Sequence, residues 1–144
     1  MSFLKAMMEK EPPEPANPIG TVVIGNIEPD MHDTAKEQVR KALKRASFKT
    51  VDVGKSVAPQ VFVDKAKESN ADVIALSVNT VPAKNNLGKL DEALKAAGLK
   101  GKIGLIMGGA AVKKEDADAI GALYGKNKEE AVELAKKAMA AKTK

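Results

Sequence analysis

From residue 20 to residue 141 the sequence alternates between two hydrophobic patterns. Short unbroken apolar runs rich in β-branched residues are each followed by stretches where apolar positions recur every three or four residues. Unbroken runs suit strands covered on both faces; the wider spacing suits amphipathic helices. Residues 21–27 (TVVIGNI) predict a first strand. Val39, Ala42, Leu43 and Ala46 then fall at i, i+3, i+4 and i+7, which predicts a helix over 34–46, with Thr34 and Glu37 spaced as a capping box. Residues 50–53 predict a short second strand ended by Gly54, and 59–69 a helix with Phe62 and Ala66 inward. A third strand is expected over 72–78 (DVIALSV), then a helix marked by Leu87, Leu90, Leu94 and Ala97 and stopped by Gly98. Residues 103–107 predict a fourth strand, 114–120 a short helix, 122–124 a very short fifth strand and 129–141 a closing helix.

Strands alternating with helices in this way predict an α/β fold. The best fit is a five-stranded parallel, doubly wound sheet of flavodoxin-like order 2-1-3-4-5, with right-handed crossovers and helices on both faces. Residues 1–18 stand apart. Phe3, Leu4, Met7 and Met8 form one apolar stripe, and Pro12, Pro13, Pro15 and Pro18 follow, so a short helix and a Pro-rich linker are expected before a folded domain at 19–144.

A chain of 144 residues is long enough for one core and too short for two. Aromatic residues make up only 3%, which disfavours aromatic cages and stacking platforms for single-stranded nucleic acid. With no cysteine there is no disulfide framework, thiolate metal site or cysteine nucleophile. The net charge is +5, but the basic residues are all Lys except Arg40 and Arg45, and they are interspersed with acids as on solvated helix faces. No nucleic-acid partner is expected from that pattern. No apolar run reaches membrane-spanning length, so the chain reads as cytoplasmic, with no membrane partner.

Ligands of doubly wound sheets bind beyond the carboxyl ends of the strands, where the strand order reverses. The first strand leads into Asp30-Met31-His32-Asp33, the third ends at Ser77-Val78-Asn79-Thr80 and the fourth at Gly108-Gly109-Ala110. The chain's one histidine, two acids, a hydroxyl, an amide and a glycine pair thus collect on one edge. Several common occupants fail there: G-x-G-x-x-G does not follow the first strand, no Walker A loop or G-x-S-x-G elbow exists, and Ser77 stands where a phosphoacceptor acid would be expected.

Asp30-x-His32-x-x-Ala35, then Ser77-x-Asn79, then Gly108-Gly109 resembles the fingerprint of cobalamin-binding domains: Asp-x-His-x-x-Gly, Ser-x-Leu and Gly-Gly. Two longer stretches, VVIGNIEPDMHDTAK and IGALYGKNKEEAVELAKKAM, look like the corrinoid carrier proteins of methyltransferase systems. The resemblance implies a cobalamin or related corrinoid cofactor, with His32 as the lower axial cobalt ligand and Asp30 holding its other ring nitrogen. It implies that Ser77 bonds the nucleotide tail, that Gly108 and Gly109 line the slot where a side chain would collide with that tail, and that Tyr124 packs near the tail or corrin rim. Met31, Asp33, Ala35, Asn79, Thr80 and Ala110 complete the implied binding set. On this reading the chain is a carrier subunit, its cobalt cycling between Co(I) and methyl-Co(III), acting with a partner methyltransferase and holding no complete active site. Two other readings share the residues: the small subunit of an adenosylcobalamin-dependent mutase, acting with a large subunit, and a degenerate cobalamin-fold interaction or sensor module. Ala35 and Asn79 depart from the family pattern, which has Gly and Leu there.

Overall fold

The structure, a computed structural model, describes residues 11–142. The apolar stripe at Phe3, Leu4, Met7 and Met8 lies outside them. Five parallel strands form one sheet in the order β2-β1-β3-β4-β5. They are β1 (Gly20–Ile27), β2 (Phe48–Val57), β3 (Val73–Ser77), β4 (Gly104–Gly108) and β5 (Leu123–Tyr124). The helices are α1 (Thr34–Arg45), α2 (Pro59–Glu68), α3 (Val81–Lys84), α4 (Leu87–Ala96), α5 (Lys114–Ala119) and α6 (Lys128–Lys142).

The unbroken apolar strand runs are explained by cores on both faces, because successive side chains point to opposite sides. Val23, Ile27, Ile74, Leu76, Leu105 and Met107 pack on Phe62 of α2 and on Leu90 and Leu94 of α4. Val22, Ile24, Val73, Ala75 and Ile106 pack on Leu43 of α1 and on Ala131, Ala135 and Ala138 of α6. Phe48 and Phe62, both fully buried, anchor one layer each, and burial of each stabilises by roughly 2–3 kcal/mol. The alanine face of α6 lets that helix lie close to the sheet: a Cβ on Gly104 would stand 2.8 Å from the Ala138 methyl.

Three local features differ from the sequence expectation, and the Pro-rich segment has contacts that the sequence did not specify. Strand β2 does not stop at Gly54; it runs on to Val57, with register shifts where Gly25 pairs Gly54 and Ile27 pairs Val57. Gly54 has φ +101°, a conformation open to glycine, so it serves as an irregularity inside the strand. Thr34 is the first helical residue of α1 and Asp33 is its N-cap, with no side-chain cap bond; Glu37 pairs with Arg40 instead of closing a capping box. The short helix α3 was not signalled by any periodicity; Thr80 caps it by accepting from the Ala83 N–H at 3.3 Å. Finally, the Pro-rich segment is fastened down: Glu11 accepts from Arg40 and from Lys44, Glu14 pairs with Lys44, and Pro12 is buried.

Candidate functional site

Strands β1, β3 and β4 end together, and β1 and β3 lie on either side of the strand-order reversal. The loop after β1 folds back over this edge because Asp30 points inward. Its carboxylate is fully buried, and among the described residues no Lys or Arg pairs with it. Oδ1 accepts from the main-chain N–H of His32 at 3.0 Å and lies 3.0 Å from His32 Nδ1. Oδ2 accepts from the Asn26 amide at 3.0 Å and from the main-chain N–H and side-chain amide of Asn79 at 2.9 and 3.0 Å. Burial alone would raise the Asp30 pKa, but the donors from His32, Asn26 and Asn79 outweigh it and hold the carboxyl below its usual range. The carboxylate is therefore an acceptor towards the ring. That places the imidazole proton on Nδ1 and leaves the Nε2 lone pair free.

The His32 side chain is 72% exposed, and no described residue bonds Nε2. At the same strand ends, lined by Ala35, Ser77, Gly108 and Gly109 rather than by His32 itself, opens a groove of about 310 Å³. Its floor is Ile24, Ala75 and Ile106, one from each of the three strands. Ala35 and Val39 of α1 form one wall, and Gly125, Asn127 and Ala131 the other, while Lys126 and Lys128 stand exposed at the rim. Lys36 also lines it but is held away from a free role by Asp52, 2.9 Å from its Nζ. The slot exists because the wall side chains of Ala35, Gly125 and Ala131 are small where α1 and α6 begin.

Most of the residues singled out from the sequence meet here. Ser77, Ala35, Gly108 and Gly109 line the groove. Asn79 donates to Ser77 Oγ at 3.1 Å, which uses a hydroxyl lone pair and leaves the hydroxyl hydrogen available at the groove. Ala110 donates its N–H to Asn79 Oδ1 at 3.1 Å. Met31, next to His32, is 56% exposed. Asp33 faces Lys55 at 4.0 Å, and Thr80 is occupied in capping α3.

Two assignments change. Tyr124 packs against the layer formed with α2 and α4, on the opposite face of the sheet from the groove floor, because its register partner Met107 points there. The glycine pair has a reason that needs no ligand. A Cβ on Gly109, at φ +127°, would lie 2.2 Å from the Val78 carbonyl oxygen, and one on Gly108 would lie 2.7 Å from that of Gly125. The collisions are with the protein's own backbone.

Asn26 was missed. It is fully buried in β1 and donates to both Asp30 and the His32 carbonyl oxygen, while its own Oδ1 has no partner among the described residues. The signal was present: an amide inside an otherwise apolar strand is costly to bury unless it is bonded.

Comparison with known proteins places the chain in a family. A family model described as the B12 binding domain matches residues 20–142. The chain is 40% identical over 140 residues to trimethylamine corrinoid protein 2 of Methanosarcina acetivorans, covering 96% of this chain and 64% of that protein. It is 40% identical over 126 residues to dimethylamine corrinoid protein 3 of Methanosarcina mazei, covering 85% and 74%. The structure of the Methanosarcina barkeri monomethylamine corrinoid protein superposes with a TM-score of 0.79 at 25% identity, over 92% of this chain and 62% of that one. The chain thus spans about 64% of the length of the first of these relatives.

Proposed function

The chain belongs to the B12 binding domain family, and we propose that it is a corrinoid-binding methyl carrier working with a methyltransferase that acts on methylated amines. The observation that carries the reading is His32: an exposed imidazole whose Nδ1 is held by a buried carboxylate, on the same strand-end edge as a groove lined by Ala35, Ser77 and Gly108. Among the described residues no three or more His, Asp or Glu side chains converge as a metal site. A single imidazole could serve a metal that arrives already held by its own macrocycle, as cobalt does in a corrin.

The residues fit such a group. His32 would offer Nε2 to the cobalt, with Asp30 keeping the proton on Nδ1 and raising the basicity of the free nitrogen. Ser77 would donate its hydroxyl hydrogen to an acceptor on the tail, and the apolar floor of Ile24, Ala75 and Ile106 would exclude water around it. Met31 adds apolar surface beside the imidazole. When bound, the corrinoid would supply the methyl-transfer chemistry, while the protein would supply position and a ligand nitrogen whose basicity Asp30 sets. The amine class follows the trimethylamine and dimethylamine corrinoid proteins among its relatives. No described helix is long and apolar enough to cross a membrane.

The test is retention of hydroxocobalamin. Purified protein mixed with it and desalted should keep a stoichiometric corrinoid whose absorbance spectrum differs from that of the free cofactor. His32→Ala should remove that spectral difference. Retention of nothing by the wild type, or an unchanged spectrum in His32→Ala, defeats the proposal.

A further inference from the structure

Asn79 stands where three strand-end loops meet. Its Nδ2 lies 3.0 Å from Asp30 Oδ2, 3.1 Å from the His32 carbonyl oxygen and 3.1 Å from Ser77 Oγ. Its main-chain N–H makes a second bond to Asp30 Oδ2, at 2.9 Å, and its Oδ1 accepts from the Ala110 N–H at 3.1 Å. One planar amide therefore ties the loop after β1 to the end of β3 and to the loop after β4. Donors and acceptor are assigned without ambiguity, because only the NH2 group can face the carboxylate.

We propose that Asn79 is a positioning residue for His32, fixing the Asp30 carboxylate so that Oδ1 meets the imidazole before any ligand arrives. The argument is geometric. A carboxylate turns about its χ2 bond, and one hydrogen bond, from the His32 main-chain N–H to Oδ1, leaves that rotation loosely set. Three donors hold Oδ2, two of them from Asn79 and the third from Asn26. Holding both oxygens fixes the plane in which Oδ1 meets the ring, and most of that hold comes from the far side of the carboxylate.

A chemical consequence follows from the residue types. Amide N–H groups do not titrate, so Asn26 and Asn79 keep a proton on His32 Nδ1 without relaying one. A hydroxyl on the same oxygen could pass protons to solvent; this pair acts as a clamp. The family's leucine could contribute only the main-chain N–H.

The inference rests on His32 as the metal ligand for its biological meaning, but its test does not need the cofactor. His32 is the only histidine in the chain, so long-range proton–nitrogen correlation spectra of the cofactor-free protein read its tautomer directly. Wild type should show the neutral ring predominantly as the Nδ1–H form. In Asn79→Leu and Asn79→Ser the ratio of Nδ1–H to Nε2–H should fall by about threefold or more, towards the preference of a free imidazole. Hydroxocobalamin affinity should fall by a similar factor. An unchanged ratio in either variant, checked as folded by its backbone amide spectrum, overturns the proposal. Loss of the fold in both overturns it too, since the role would then be structural. If wild type shows the tautomer yet retains no hydroxocobalamin, the carrier reading fails and the clamp stands.

Discussion

Asp30 Oδ1 lies 3.0 Å from both the main-chain nitrogen and ring Nδ1 of His32, and the two side chains differ completely in exposure, 0% against 72%. Their substitutions should therefore separate binding from stability. His32→Ala removes a solvated ring and should change unfolding free energy by no more than about 0.5 kcal/mol. Asp30→Ala strands the buried amide of Asn26 and the half-buried amide of Asn79 and should cost about 2–4 kcal/mol. Urea unfolding midpoints check the contrast, while both variants should lose the bound corrinoid spectrum. Equal stability of the two would mean that the carboxylate is far less committed than its bonds suggest.

Two glycines make a second contrast. Gly109 has φ +127° and a Val78 oxygen 2.2 Å from where a Cβ would sit, so Gly109→Ala must move β3 against β4 and should cost about 3 kcal/mol or more. Gly88, in α4, has open space around its missing Cβ. Gly88→Ala should raise stability by about 0.5–1 kcal/mol. Thermal midpoints moving in opposite directions would bear this out.

Acid should loosen the N-terminal strap first. Hydrogen bonds from Arg40 and then Lys44 bring the Glu11 pKa down from 4.5 to about 2. Because the folded value is the lower one, the strap's contribution is complete above pH 4.5 and is lost as pH falls towards 2. Glu11 is 47% exposed, so solvent screening leaves less than about 1 kcal/mol. Glu11→Gln should lower stability at neutral pH by that amount and flatten the slope of stability with pH in this window. A wild-type slope retained in the variant would assign the acid sensitivity elsewhere, Asp30 being the obvious alternative.

The strand order was legible because each long-range feature had a local cause: β-branched runs at residues 22–24 and 73–74, helical spacing at Leu87, Leu90 and Leu94, and Gly98 at a helix end with φ +73°. Asp30, His32 and Ser77 could be placed on one edge once that order was assumed. Three things could not be read. The length of β2 depends on Gly25 lacking a Cβ opposite Val53, a tertiary fit with no local signal. The side of the sheet taken by Tyr124 depends on the register with Met107. The role of Asn79 was hidden because three of its four partners, Asp30, His32 and Ala110, lie about 30 to 50 residues away in sequence.

Ala35 gives the sharpest test of where a ligand tail would lie. It is solvent-exposed in the first turn of α1, yet it lines the groove opposite Ser77 and Gly108. Leucine is nearly as good a helix former as alanine, and nothing buried need shift to admit it, so Ala35→Leu should alter stability by no more than about 0.5 kcal/mol. Its extra carbons would occupy the slot. Hydroxocobalamin retention should drop about tenfold or more, the change that 1.4 kcal/mol of lost contact or added strain produces. Ala35→Gly should act the other way on the groove, widening it, while costing about 0.5–1 kcal/mol of helix stability. If Ala35→Leu holds the corrinoid as tightly as wild type, the tail does not enter between α1 and the strand ends, and His32 would have to bind its ligand from the open surface alone.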